Sequence, residues 1–373
     1  NLQQVRDKQL QSLWDYSGES ALFSWGYQPV GELASNSRTR YSSPVQVPGT
    51  TWNAISDTPG SNAGTSLMLT KTDGTLWIVG SNNAGNLGLN QPDNSNYSSP
   101  VQIPGTTWGT SLAIGPYNAF AVKTDNTLWS WGDQPDGMLG HNNNTRYSSP
   151  TQIPGTTWSK VATGQKHCMA IKTDGTLWAW GSGDNGASAQ NNKTHYSSPR
   201  QVGSDTTWSS LGGGNEGGFA LKTDGTLWSW GYGGQGQLGL NDRTARSSPT
   251  QIPGTTWSLV SSGHNHVAAI KTDGTLWVWG NNQSGQIGIN AEDPSRISSP
   301  TQVPGTTWTH VRAHNSSTTA LKTDGTLWAW GENQYATLGL NDRASYSSPT
   351  QVPGTWTSSM GGTRNGMAIL ANL

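Results

Sequence analysis

The chain has 373 residues, with 21 Lys+Arg against 22 Asp+Glu and a formal net charge of −1, so it lacks the electrostatic footprint expected for DNA, RNA or an acidic membrane surface. Only 12% of residues are charged, Gly (48) and Pro (19) are abundant, and 20 Trp outnumber 10 Tyr and 3 Phe together. A single cysteine, Cys168, excludes an internal disulfide framework and a Cys-rich zinc module, and no apolar run approaches the ~20 residues of a membrane-spanning helix.

The first segment, Asn1-Leu2-Gln3 onward, carries neither Met nor a signal-type apolar core, as expected of a chain that is processed or begins at an internal residue. Within residues 1–20, Leu10, Leu13 and Trp14 fall at i, i+3 and i+4, which predicts a short helix or an arm that docks on the rest of the chain or on a larger assembly. From residue 21 the chain is a repeat. Ala21-Leu22-Phe23-Ser24-Trp25-Gly26 is a degraded first copy of Lys-Thr-Asp-Gly-Thr-Leu-Trp-x-Trp-Gly. That string starts at Lys172, Lys222, Lys271 and Lys322, with variants at Lys71 (Val79 for the second Trp) and Lys123 (Asn126 for Gly). Successive starts lie 52, 49, 50, 49 and 51 residues apart. Between them stands Ser-Ser-Pro-x-Gln-(Val/Ile)-Pro-Gly-Thr-Thr-Trp, its Trp at 52, 108, 158, 208, 257, 308 and 356. Seven copies of a unit near 50 residues indicate a propeller, a solenoid or an array.

Each unit reads as short strands joined by turn chemistry, without helical periodicity. In Thr-Leu-Trp-x-Trp the alternation places Trp178 and Trp180 on one face and Leu177 and Ala179 on the other. Lys-Thr-Asp-Gly is a hairpin turn whose last residue needs positive φ, a demand Gly meets freely and Asn126 tolerably. Pro-Gly before Thr-Thr-Trp suits a type II turn; the fourth copy has Gly203-Ser204-Asp205 instead and must turn differently. The expectation is an all-β fold, a seven-bladed β-propeller of four-stranded antiparallel blades over residues 21–373. The strand bearing Ala121, Ala170, Ala220, Ala269, Ala320 and Ala368 is expected innermost, where only small side chains fit. Residues 364–373 supply an inner-type strand with no Trp strand after it, and residues 21–26 an orphan Trp strand, so the N- and C-terminal strands are expected to pair and close the ring.

The string Gly263-His264-Asn265-His266-Val267-Ala268-Ala269-Ile270, then Asp273-Gly274, Trp279-Gly280 and Gly285-Gln286-Ile287-Gly288, resembles the regulator-of-chromosome-condensation repeat, in a form like bacterial and phage surface versions of it. The resemblance covers residues 21–373 and implies a seven-bladed propeller. It also implies two family activities. Nucleotide-exchange members bind chromatin and a small GTPase through a basic tail and a wedge inserted in one blade; neither is present at these spacings. The plant ultraviolet-B photoreceptor uses a Gly-Trp-Arg-His motif, where this chain reads Gly164-Gln165-Lys166-His167 and no copy has Trp.

Other motifs carry little chemistry. Gly231-x-Gly233-x-x-Gly236 and Gly181-x-Gly183-x-x-Gly186 match a dinucleotide fingerprint but open no helix that would hold a pyrophosphate. His264-x-His266 is the one metal-like pair; structural hydrogen bonding across blades is the plainer reading of His167 and His266. No resident metal or cofactor is expected. Cys168 reads as a packed, inert thiol.

The copies differ most in the triplet just before the expected inner strand: Gly64-Thr65-Ser66, Pro116-Tyr117-Asn118, Gln165-Lys166-His167, Asn215-Glu216-Gly217, His264-Asn265-His266, Asn315-Ser316-Ser317 and Thr363-Arg364-Asn365. In a propeller these segments ring the axis opening, and a mixed polar ring on a fixed scaffold suits recognition. The candidate ligand-binding set is therefore Tyr117, Asn118, Lys166, His167, Glu216, His264, His266, His314 and Arg364. A second variable set follows Trp-Gly, including Tyr27-Gln28-Pro29 and Asp133-Gln134-Pro135-Asp136. The expected function is a non-enzymatic interaction or display module on a virion or cell surface, binding a partner protein or a glycan, without nucleic acid or membrane insertion; failing exposure, a cytoplasmic one. The alternatives are a guanine-nucleotide exchange or signalling regulator and a metal-assisted enzyme at His264/His266.

Overall fold

The computed structural model describes residues 21–26, 31–56, 66–133, 135–290, 295–356, 358–360 and 365–370. The expected arm over 1–20, the loop at Tyr27-Gln28-Pro29 and Arg364 lie outside the described residues.

The third unit shows how the repeat string folds. Its strands Trp158–Thr163, His167–Lys172, Leu177–Gly181 and Tyr196–Gln201 lie antiparallel in chain order. Between the second and third, Gly175 takes φ 79 and its N–H bonds the Lys172 carbonyl at 2.9 Å. Asp174 Oδ1 accepts from the Thr176 N–H (3.0 Å) and from its hydroxyl (2.7 Å), and Thr176 Oγ1 in turn accepts from Trp178 Nε1 (2.9 Å). The string Lys-Thr-Asp-Gly-Thr-Leu-Trp thus satisfies its own turn, side chain to backbone, without help from the rest of the chain. Asn126, standing where other copies have Gly, adopts φ 64.

Among the described residues six sheets are built this way from four consecutive strands, and a further sheet joins Tyr41–Gln46 and Ala21–Gly26 to Asn365–Leu370 and Ser358–Met360. In it the two ends of the repeat pair antiparallel, Ala21 opposite Leu370 through Gly26 opposite Asn365. The chain is an all-β propeller of four-stranded antiparallel blades.

The innermost strand is not the alanine strand. Contacts between sheets run along the strands that begin at the Thr-Thr-Trp tryptophan, from Trp52–Ile55 to Trp108–Ile114, Trp158–Thr163, Trp208–Gly213, Trp257–Ser262, Trp308–Ala313 and Ser358–Met360, and back to Trp52–Ile55. The alanines belong to the second strand and are small for a different reason: Ala121, Ala170, Ala220, Ala269 and Ala320 stand directly opposite Trp129, Trp178, Trp228, Trp277 and Trp328. Each indole takes the room beside its cross-strand partner.

Two devices, repeated around the ring, hold the blades. The second Trp of Trp-x-Trp is fully buried at 25, 131, 180, 230, 279 and 330, and its Nε1 reaches back to a carbonyl of the preceding unit: Trp131 to Asn86, Trp180 to Met138, Trp230 to Ala187, Trp279 to Gln237, Trp330 to Gln286 and Trp25 to Thr337, at 2.6–3.1 Å. The second device was not anticipated from sequence. The turn lysine lies between two indoles, Lys172 Nζ standing 4.8 Å from the Trp158 ring and 4.4 Å from that of Trp178. Lys71, Lys123, Lys222, Lys271 and Lys322 repeat the clamp. Each such cation–π contact contributes about 0.5–1 kcal/mol near the surface.

Candidate functional site

At the propeller end opposite the lysine turns, short loops join the first and second strands of the five blades in which these loops are described. Each is closed by its own backbone: Gly164 N–H to His167 O (2.8 Å), Gly214 to Gly217 (2.9 Å), Gly263 to His266 (2.8 Å) and Gly115 to Asn118 (2.8 Å). Neighbouring loops are also stitched together, Gln165 N–H to Asn215 O at 2.9 Å and His264 N–H to His314 O at 3.3 Å. The loops following Trp-Gly start against this same rim, with Asp133 N–H on Tyr117 O, Ser182 on Lys166 O, Tyr232 on Glu216 O and Glu332 on Ser316 O. The two variable sets of the sequence are therefore neighbours on one end, fixed by backbone bonds that do not depend on the side chains they carry.

The candidate residues divide into two layers. Tyr117, Lys166 and Glu216 are exposed and His264 is half-buried; Tyr117, 40% exposed, is the large hydrophobic residue most open to solvent among those described. Asn185 Nδ2 donates to Glu216 Oε2 at 3.3 Å, which brings a residue of the second variable set onto the rim. Asn118, His167, His266 and His314 lie beneath and are buried. Asn118 packs its amide on Met138 Sδ at 3.3 Å. Burial pushes the His167 imidazole down to about 4, against a backbone hydrogen bond to Gly217 of the next blade. His266 is pushed down to about 3, by burial first and then by the charges of His314 and His264. Its Nε2 sits 3.0 Å from Thr318 Oγ1 of the next blade, while His314 Nε2 sits 2.9 Å from Thr319 Oγ1. His167 and His266 are held neutral and reach the next blade, while His314 bonds within its own. Arg364 is outside the described residues, and among those described no group of three or more His, Cys, Asp or Glu gathers in a way that holds a metal ion.

The exposed rim carries opposite charges at Lys166 and Glu216, one aromatic side chain at Tyr117 and the Asn185 amide. Asn185 and the His195 ring, 3.4 Å from Asp136 and 3.6 Å from Asp184, were not singled out from sequence. All of them lie in or beside the loops after Trp-Gly, whose variability was their signal. Cys168 is buried, and burial raises its thiol well above the ordinary value.

A family model described as Regulator of chromosome condensation (RCC1) repeat matches residues 125–171, 224–270, 273–321 and 324–368, more than half of the chain, and a second of the same description matches 158–187 and 257–286. Among solved structures the chain is similar to Prp20p from Saccharomyces cerevisiae, studied for its binding to Gsp1p and histones, with a TM-score of 0.83 and 20% identity over 96% of this chain and 92% of that one. It is similar also to human WBSCR16, with a TM-score of 0.82 and 19% identity over 94% of this chain and 99% of that one. Yeast RCC1 (Prp20) bound to Kap60 superposes with a TM-score of 0.82 and 19% identity, covering 97% of this chain and 92% of that one.

Proposed function

The chain belongs to the regulator of chromosome condensation (RCC1) repeat family, and we propose that it is a non-catalytic, seven-bladed protein-binding propeller whose partner docks on the rim bearing Tyr117, Lys166, Glu216 and His264. The observation that carries this reading is the contrast between scaffold and rim. Turn, Trp and Lys positions repeat almost without change, whereas the rim residues differ between copies on loops closed by backbone bonds. Of the nine candidate residues, Asn118, His167, His266 and His314 support the rim from below. Display on a virion or cell surface, and a glycan at the rim, draw no support from the fold or from the matched proteins.

A photo-crosslinking amino acid placed at Lys166 or Glu216 captures the partner in the native source, and one placed at Thr173 on the opposite end does not. Capture only from the opposite end overturns the assignment.

The second reading is a nucleotide-exchange or signalling regulator. It is favoured by the fold shared with Prp20p across nearly the whole chain. Release of labelled nucleotide from a Gsp1p-type GTPase, accelerated by this protein and lost in Lys166→Ala/Glu216→Ala, supports it; no acceleration removes it.

A further inference from the structure

Two departures from the repeat pattern fall together at the junction between the third and fourth units and border one cavity. Where the other copies turn with Pro-Gly before Thr-Thr-Trp, the fourth has Gly203-Ser204-Asp205 and is one residue longer. The backbone changes accordingly. In the sister turns both the glycine (Gly49, Gly105, Gly155, Gly254 and Gly305, φ 97 to 100) and the second threonine (Thr51, Thr107, Thr157, Thr256 and Thr307, φ 65 to 70) have positive φ, whereas in the fourth turn Gly203 alone does, at 61. A β-branched residue in that region is strained, and the longer turn avoids it. The second departure is Gln190. Four other copies have Leu89, Leu240, Ile289 or Leu340 in its place and two have His141 or Ser35; Leu89, Leu240 and Ile289 pack in the same core groups as the Trp129, Trp277 and Trp328 indoles of the next unit. With glutamine there, the amide turns away to the Arg200 and Gln201 carbonyls at 3.4 and 3.2 Å.

The result is a cavity of about 470 Å³ bounded by Gln190, Asn191, Asp205, Trp208, Lys222 and Trp228, with Val202 and Pro249 on its apolar side. Its charges cancel internally: Asp205 Oδ2 meets Lys222 Nζ at 2.5 Å, and Lys222 Nζ stands 4.2 Å from the Trp228 ring. Asp205 Oδ1 accepts from the Thr207 N–H and hydroxyl at 2.8 and 2.6 Å, so the carboxylate is fixed. Trp208 is only 6% exposed, and its Nε1 has no hydrogen-bond partner, a property shared by the equivalent Trp108, Trp158, Trp257, Trp308 and Trp356; here the residue also lines the cavity. In sister copies this indole edge lies under the turn glycine: a Cβ on Gly105, Gly155, Gly254 or Gly305 would stand 3.7–3.9 Å from Nε1 of the following Trp. In the fourth unit Asp205 occupies that place and lines the cavity with Trp208.

We propose that this cavity is a binding subsite for a single neutral hexopyranose ring, of a free sugar or a glycoside. The ion pair is neutral as a whole, so a charged ligand finds no opposite charge to select it. The site instead offers the pattern a polyol needs: donors at Trp208 Nε1 and the Asn191 amide, acceptors at the Gln190 amide oxygen and Asp205, and the half-buried Trp228 indole against the weakly positive C–H face of a pyranose. Four other copies place an aliphatic side chain at the Gln190 position and the other six turn with Pro-Gly, so the combination of Gln190 with the longer turn belongs to one junction.

The test uses the full chain labelled with ¹⁵N-tryptophan, titrated with methyl glycosides of glucose, galactose, mannose and N-acetylglucosamine, with methyl glucuronide and inorganic phosphate as charged probes. The expected result is saturable movement of the Trp208 and Trp228 indole signals, identified by Trp228→Phe, with at least one neutral glycoside and a Kd of order 1 mM. Gln190→Ala and Asn191→Gly, substitutions at half-buried and exposed loop positions, weaken it about tenfold at unchanged melting temperature. The proposal is overturned if no neutral glycoside moves those signals, if both variants bind like the parent, or if a charged probe binds more tightly.

Discussion

Trp25 Nε1 donates a hydrogen bond to the Thr337 carbonyl oxygen at 2.9 Å, across 312 residues of sequence. It is the same bond that Trp180 makes to Met138 at 2.6 Å inside the ring, so the junction that closes the propeller is chemically equivalent to those within it. Trp25 also packs on Trp356, ring centroids 5.8 Å apart.

Replacing Trp25 by Phe keeps most of the apolar volume and removes the donor to a half-buried carbonyl, a cost of about 1 kcal/mol. Trp25→Ala adds a cavity and costs about 3–5 kcal/mol. Guanidinium unfolding is expected to show both losses within a single transition, with Trp180→Phe costing a similar amount. A silent Trp25→Phe variant would mean the closing junction carries no load.

The lysine clamp predicts unequal costs for equal substitutions. Lys172→Met removes two cation–π contacts at a half-buried site and costs about 1 kcal/mol. Lys222→Met costs more, because Asp205 loses its cation. A double-mutant cycle with Asp205→Asn isolates the ion pair, which solvent screening around the partly exposed carboxylate limits to about 1 kcal/mol. Lys222 foremost, helped by the Thr207 hydroxyl, holds Asp205 down at about 2. That contribution is present above the ordinary carboxylate range and is lost as pH falls through about 2.

The buried histidines set the acid limit. His167 and His266, at about 4 and about 3 in the folded protein against an ordinary 6.5, stay neutral while the unfolded chain takes up protons. Stability is then whole above pH 6.5 and falls below it, by about 1.4 kcal/mol per pH unit for each histidine, until the folded values are reached. Unfolding curves of His266→Gln between these limits should show a shallower pH slope than those of the parent; an unchanged slope places the proton uptake elsewhere.

At the hairpin turns, Gly175→Ala is expected to destabilise by more than about 1 kcal/mol, since φ is 79 and a Cβ would meet the Thr206 carbonyl oxygen of the next turn. Asn126→Gly, at φ 64, moves the melting point up or leaves it unchanged.

Much of this was legible in the sequence because the repeat supplies its own comparison. The Lys-Thr-Asp-Gly turn, the Trp strand, the pairing of residues 21–26 with the C-terminal strand and the odd turn at Gly203 were all readable from residue chemistry. The order of strands within a blade was misread, since small size at Ala170 was attributed to the axis when it reflects the Trp178 indole across the pair. Pattern gives alternation along a strand, but it does not say which neighbour fills the space beside a residue. The lysine clamp had a signal that went unused, a lysine at the same offset from two tryptophans in six copies. His167, His266 and His314 stood out by variability or motif, yet their backbone positions place them under the rim.

Five indoles grip the unit made before them, Val79 stands in place of one, and Trp25 alone bonds a carbonyl made 312 residues after it. During synthesis Ala21–Gly26 must therefore wait, with one strand edge unpaired, until Asn365–Leu370 leaves the ribosome. An unpaired edge of this kind is the part of a nascent chain most open to mispairing with a neighbour. Two chains that exchange this last strand would make all the same bonds, so high local concentrations of translating ribosomes should favour interlocked dimers over closed single rings.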